Sequence, residues 1–145
     1  MDWTQTAHDA VKIAVAYVLA LPIGWVREKE AHSVGVRTFP LVAMASCGFV
    51  LLGVTLSADD QDVRSRIIQG LITGIGFIGG GAILKGDGSV QGTATAASIW
   101  NTGVIGAAVA QGRYDIGIIL SLLNLITLRL LYPLKKKIDS EASRQ

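Results

Sequence analysis

One cysteine, two histidines and three prolines are all that this 145-residue sequence holds of those residue types, and each scarcity removes a class of function. The lone thiol, Cys47, can form neither an intramolecular disulfide nor a cysteine-based metal cluster, and its place inside an apolar run suits packing. His8 and His32 stand apart, without the paired spacing of metal ligands. Only 17% of residues are charged, and no acidic residue lies centrally in a long apolar run, so a proton or cation relay of buried carboxylates has no carrier. Neither a Ser/His/Asp or Cys/His constellation nor paired carboxylates can be traced, so no catalytic residue, metal ligand or cofactor site is expected. The 13 basic residues are scattered and the net charge is only +2, which leaves no electrostatic footprint for nucleic acid. No stretch repeats, so sequence symmetry offers no support for an inverted-repeat transporter. The first residues lack a basic leader and a small-residue cleavage site, which predicts that the first apolar segment remains as a span.

What the sequence has in abundance is apolar surface, at 50% of residues, more than a water-soluble chain of this size can bury. A hydrocarbon core of about 30 Å needs roughly 20 apolar residues at 1.5 Å rise. Five windows qualify, at about 7–26, 38–56, 67–84, 94–110 and 115–134. The expected fold is all-α, a polytopic transmembrane helical bundle in a single domain over 1–145. Lys12 near the start of the first window can snorkel to the interface, Pro22 is a candidate kink, and Thr38 with Pro40 suits a helix start. Arg27, Lys29, Arg37, Lys85, Lys135, Lys136, Lys137 and Arg144 fall on one side, against Lys12, Arg64, Arg66 and Arg113 on the other. The excess predicts an N-terminus outside and a C-terminus in the cytoplasm, with the residues after Ile138 frayed. Trp3, Trp25, Tyr114 and Tyr132 fall near window ends, as in an interfacial aromatic belt.

Glycine is concentrated: 12 of the 17 lie between Gly70 and Gly112. Helices in lipid associate largely through close backbone approach at small residues. The fourth window has a stripe of them at Ala94, Ser98, Thr102, Gly106 and Ala110, with Gly103 beside it, and the third has the pairs Gly70 with Gly74 and Gly76 with Gly80. Helix packing is the leading reading, and a dimer the expected assembly. The alternative is a third span locally unwound at Gly79-Gly80-Gly81, exposing carbonyls to a cation or solute. Residues 74–79 satisfy the G-x-G-x-x-G pattern, but they lie mid-span and position 99 is Ile99 where an acidic residue belongs, so a dinucleotide fold is rejected.

Polar groups at membrane depth need a partner or a wet cavity. Gln69, Thr73, Thr95, Ser98, Asn101, Thr102, Asn124, Thr127 and Arg129 are the candidates, though Ser and Thr often bond their own helix. Asn101 is the most demanding, and an interhelical hydrogen bond is weighed above ligand contact. Residues 27–38 mix charges at the cytoplasmic face, as a solvated anchor or a functional site, with Arg37 at the interface or paired with Glu28.

Three ordered blocks resemble the MgtC/SapB family of bacterial membrane proteins. Gly24-Trp25-Val26-Arg27-Glu28 with Gly35-Val36-Arg37-Thr38 is similar to its G-L-x-R-E and G-L-R-T. Residues 74–84 are similar to its G-x-G-F-[IL]-G-[AG]-G, and residues 95–100, ending at Trp100 and followed by Gly103 to Gly106, to its T-A-A-x-x-W. Val26, Ala94 and Asn101 depart from residues common in that family. The resemblance implies a multi-pass protein of the bacterial inner membrane linked to low magnesium, acid stress or virulence. It further implies regulation of other membrane machines, the ATP synthase among them, more than direct magnesium transport; the soluble C-terminal domain of the family's longer members is not expected in this chain. Arg27, Glu28, Arg37, Thr38, Gly76, Gly79, Gly80, Gly81, Thr95, Ser98, Trp100 and Asn101 are the expected pathway or partner-contact residues. The rival reading is a small magnesium or cation transporter or channel.

Overall fold

The computed structural model describes residues 2–31, 34–57, 60–86 and 89–142. His32, Asp59 and Arg144 lie outside the described residues, as do the side chains of Lys135, Lys136 and Lys137. The elements are α1 (Trp3–Ala31), α2 (Thr38–Ser57), α3 (Gln61–Gly81), a hairpin of β1 (Leu84–Gly86) and β2 (Ser89–Gln91), α4 (Thr93–Ala110) and α5 (Tyr114–Ala142). Five helices stand where five apolar windows were read, and the fold is an all-α bundle with a two-stranded antiparallel hairpin added between α3 and α4.

Local chemistry sets the helix ends. The Asp60 carboxylate accepts from the backbone N–H groups of Asp62 and Val63 at 2.8 and 3.3 Å, capping α3 six residues earlier than hydropathy alone suggests. At the end of α4, Gly112 takes φ +74 and the Arg113 N–H donates back to the Ala108 carbonyl at 2.9 Å, the closure that a left-handed residue permits. α5 continues as helix to Ala142, past the point where fraying is expected.

The third window differs from expectation in a second way. Leu84 is not helical but pairs with Gln91 in the hairpin, and α3 runs unbroken through Gly79 and Gly80 to Gly81. The Ala82 and Ile83 N–H groups donate to the Gly79 and Gly80 carbonyls, each at 3.1 Å. The glycine triplet therefore forms a closing turn, with two of its carbonyls already accepting hydrogen bonds, and is no break within the helix. Gly92 makes the return into α4 possible: its φ is +84, and a Cβ there would lie 2.0 Å from the Ala82 carbonyl oxygen.

α4 packs against every other helix, whereas α3 packs mainly against α2 and α4. The core gathers around α4, with Ile99, Ile105 and Val109 fully buried against Ile23, Phe39, Ala43 and Cys47. Close approach depends on two glycines: a Cβ at Gly106 would meet the Ala43 carbonyl oxygen at 2.2 Å, and one at Gly103 would meet Ile75 Cδ1 at 2.1 Å. Among the described residues α1, α2 and α5 are long and apolar enough to cross a membrane. Surrounded by other helices, α4 needs little lipid-compatible surface, so it tolerates Thr95, Ser98 and Thr102 in its buried stripe.

Candidate functional site

At one end of the bundle the two halves of the first motif become a single unit. Glu28 Oε2 accepts from the Val36 N–H at 2.9 Å, which folds the segment after α1 back onto its last turns. Two glycines make room for it. A Cβ on Gly24 would lie 3.0 Å from Val36 Cα, and one on Gly35 would overlap the Glu28 side chain at 1.9 Å. The Gly35 carbonyl then accepts from the Thr38 N–H at 3.0 Å, starting α2. Glu28 thus pairs with backbone, not with Arg37, whose side chain is exposed.

The adjacent Arg27 points inward. It is 8% exposed, and Nη2 donates to Thr95 Oγ1, itself 1% exposed, at 2.5 Å. This ties the end of α1 to the first turn of α4 and links the first motif block of the sequence to the third. A buried guanidinium is tolerated only where its donors find acceptors, so Thr95 is a structural partner that its neighbours in sequence do not reveal. Lys29 lies over the Trp25 ring at 5.1 Å, at the surface of the same end.

The polar groups expected to line a path face different ways. Thr95 meets α1, whereas Ser98 donates to Asn124 Oδ1 at 3.0 Å and Asn101 Nδ2 donates to the Leu120 carbonyl at 3.3 Å, both on α5. Thr102 donates to the Ser98 carbonyl of its own helix at 2.7 Å. Asn124 Nδ2 is buried without a hydrogen-bond partner among the described residues. Ser121 donates to the Leu19 carbonyl at 2.7 Å, a contact the sequence reading missed. The signal for it was available: Gly117, Ser121, Asn124 and Leu128 recur at helical spacing on the face of α5 that packs inward. Lys12 donates to the Ala110 carbonyl at 3.0 Å and places its charge at the C-terminal end of α4, where the helix dipole favours it. Among the described residues no three His, Cys, Asp or Glu side chains gather where they could hold a metal ion.

The glycines divide sharply. Gly79 approaches α4, its Cβ position 3.2 Å from the Ala96 carbonyl oxygen. By contrast Gly70, Gly74, Gly76, Gly80 and Gly81 have nothing within 4 Å of a Cβ. Gly70 and Gly74, expected to serve helix packing, have open space at their Cβ positions and line an open groove between α3 and α2 with Val42, Ala45, Ser46 and Phe49. Phe77, on the same helix, is 84% exposed, and Trp100 is 47% exposed. At the opposite end from Arg27, Arg113 holds Asp115 through Nε and Nη2 at 3.0 and 2.8 Å, which stabilises the charged guanidinium and raises its pKa.

Comparison with known proteins adds a further observation. The family model described as the MgtC family matches residues 13–137. The chain is 34% identical to SrpB of Synechococcus elongatus, with 88% of this chain and 75% of that protein covered. It is 33% identical to YhiD of Escherichia coli K12, provisionally named a magnesium transporter, covering 90% of this chain and 63% of YhiD. It is 30% identical to MgtC of Brucella abortus, covering 100% of this chain and 60% of that protein. The chain thus spans less than two thirds of YhiD and of the Brucella MgtC. No solved structure matches it.

Proposed function

This chain belongs to the MgtC family, and we propose that it is a multi-pass protein of the bacterial inner membrane that serves magnesium-linked ion homeostasis by contacting other membrane proteins, without acting as an enzyme. In this reading all five helices cross the bilayer, and the end carrying Arg27, Lys29, Arg37 and Lys85 faces the cytoplasm, in keeping with the basic excess there.

The observation that carries the proposal is the outward face of α3. Each glycine in a helix costs about 0.5–1 kcal/mol relative to alanine, and a lipid-facing position gains nothing from it. Gly70, Gly74, Gly76, Gly80 and Gly81 become useful where another helix backbone comes close. Self-association into a dimer uses this face in the proposal, since Gly103 and Gly106 already serve contacts within the chain. The charged unit of Arg27, Glu28, Arg37 and Thr38 lies at the end where a cytoplasmic partner surface is expected.

The name of YhiD keeps magnesium transport as the rival, and its structural motivation was an interrupted third span. α3 is continuous, and Thr95, Ser98 and Asn101 are engaged by α1 and α5. The two readings separate in proteoliposomes that hold only this protein and an internal magnesium indicator, with folding and insertion checked. Regulation through partners predicts no uptake above protein-free vesicles, and cross-linking of a Phe77→Cys variant (Cys47→Ser background) between copies. Magnesium uptake that a Gly80→Leu variant abolishes would overturn it.

A further inference from the structure

Between α3 and α4 lies an open groove of about 330 Å³, reaching from Trp100 to Arg113. Its length is informative. Trp100 to Gln111 is eleven residues, about 16 Å along a helix at 1.5 Å each, which is close to half of a hydrocarbon core about 30 Å thick. The groove has the depth of one leaflet. Its walls are apolar, with Ile72 and Val104 among them, and its polar residues, Gln111 and Arg113, sit together at the end where α4 stops. An adjoining cavity shares Ile68 and Gln111 and is also lined by Arg64, so two guanidinium groups flank the mouth.

A second helix could lay only some of its side chains in this space, not its body. An α-helix 10–12 Å across occupies on the order of 1,500 Å³ over the same length, several times the volume of the groove. A single alkyl chain is of the right size. At the mouth, Asp115 engages Arg113 through Nε and Nη2, which fixes the guanidinium plane and leaves the Nη1 side turned away from the carboxylate. Both side chains are more than half exposed, at 59% and 58%, so a phosphate at headgroup depth can reach the remaining Nη1 hydrogens and share the guanidinium with Asp115.

We propose that the α3–α4 groove holds one acyl chain of an anionic phospholipid from the leaflet at the Arg113 end, with its phosphate on Arg113. The lipid covers the apolar seam beside α3 and fills a space left open by the described residues.

The test is a titration of the detergent-purified, delipidated full chain with phosphatidylglycerol or phosphatidylethanolamine, read by native mass spectrometry. One phosphatidylglycerol per chain is expected, held about tenfold more weakly by an Arg113→Gln variant, which also loses its preference over phosphatidylethanolamine. Ala107→Phe, which fills the groove, should lose the bound lipid, whereas Phe77→Ala, outside it, should retain it. Because Ala107→Phe can disturb folding, a second measurement uses the Trp3→Phe/Trp25→Phe chain, in which bromine on the lipid chain should quench Trp100. Unquenched Trp100 overturns the proposal, as does equal phosphatidylglycerol affinity in wild type and Arg113→Gln. A dimer that phosphatidylglycerol does not displace and that Ala107→Phe prevents would assign the groove to a second copy and overturn it equally.

Discussion

Replacing Gly106 by alanine adds one methyl group at a close contact between α2 and α4. The new Cβ would lie 2.2 Å from the Ala43 carbonyl oxygen, 2.9 Å from Ser46 Cβ and 3.0 Å from the Ala43 carbonyl carbon. Ordinary contact begins near 3.4 Å, so relief requires the helices to separate by about 1 Å, because two of the three atoms are backbone and no rotamer change moves them. Overpacking of this kind costs about 3 kcal/mol, partly offset by the gain of nearly 1 kcal/mol that alanine brings to a helix. The net loss expected for Gly106→Ala is about 2 kcal/mol. Gly48→Ala supplies the matched comparison, since nothing lies within 4 Å of its Cβ position and only the propensity gain of up to about 1 kcal/mol remains. The same chemical change at two glycines should thus differ by about 3 kcal/mol, roughly two orders of magnitude in the unfolding equilibrium. Denaturant unfolding in mixed micelles, followed by circular dichroism, measures both. A Gly106→Ala chain as stable as wild type, or a Gly48→Ala chain equally damaged, would refute the packing argument.

Two other sites make separate predictions. Thr95→Val keeps the shape of the side chain but removes the hydroxyl that receives Arg27 Nη2; a loss of about 1.5–3 kcal/mol is expected in the same unfolding assay, and an unchanged midpoint would remove Arg27 from the account of the α1–α4 contact. Glu28→Ala removes the acceptor of the Val36 N–H, so hydrogen exchange at that amide should accelerate about tenfold while the amides of the central α4 turns keep their protection; Glu28→Gln, which retains an oxygen, should exchange nearly as wild type.

Some of the architecture could be read from local pattern. The five helices follow from the spacing of apolar runs, and the rejection of the G-x-G-x-x-G match holds because residues 74–79 lie within α3. Helix ends were less legible. α3 begins at Gln61 because an aspartate side chain caps it, and the glycine triplet closes the helix instead of unwinding it because its carbonyls find donors in Ala82 and Ile83. Composition registers neither effect. The hairpin was missed for a related reason: it depends on a left-handed Gly92 packed against Ala82, a pairing across ten residues that no apolar period reports.

By itself the sequence determined that the chain is a bundle of apolar helices, since hydropathy and length are properties of each segment alone. It also marked glycine and a few polar residues as special, but their roles were decided by which neighbour each one faces. Gly106 and Gly74 look alike in sequence, yet one meets the backbone of α2 and the other meets open space. Thr95, Ser98 and Asn101 lie within two turns of one helix, yet they serve contacts with α1 and α5. Only tertiary structure distinguishes such positions, because steric contact and hydrogen bonding act over about 4 Å between segments far apart in the chain, a distance that spacing along one helix does not encode.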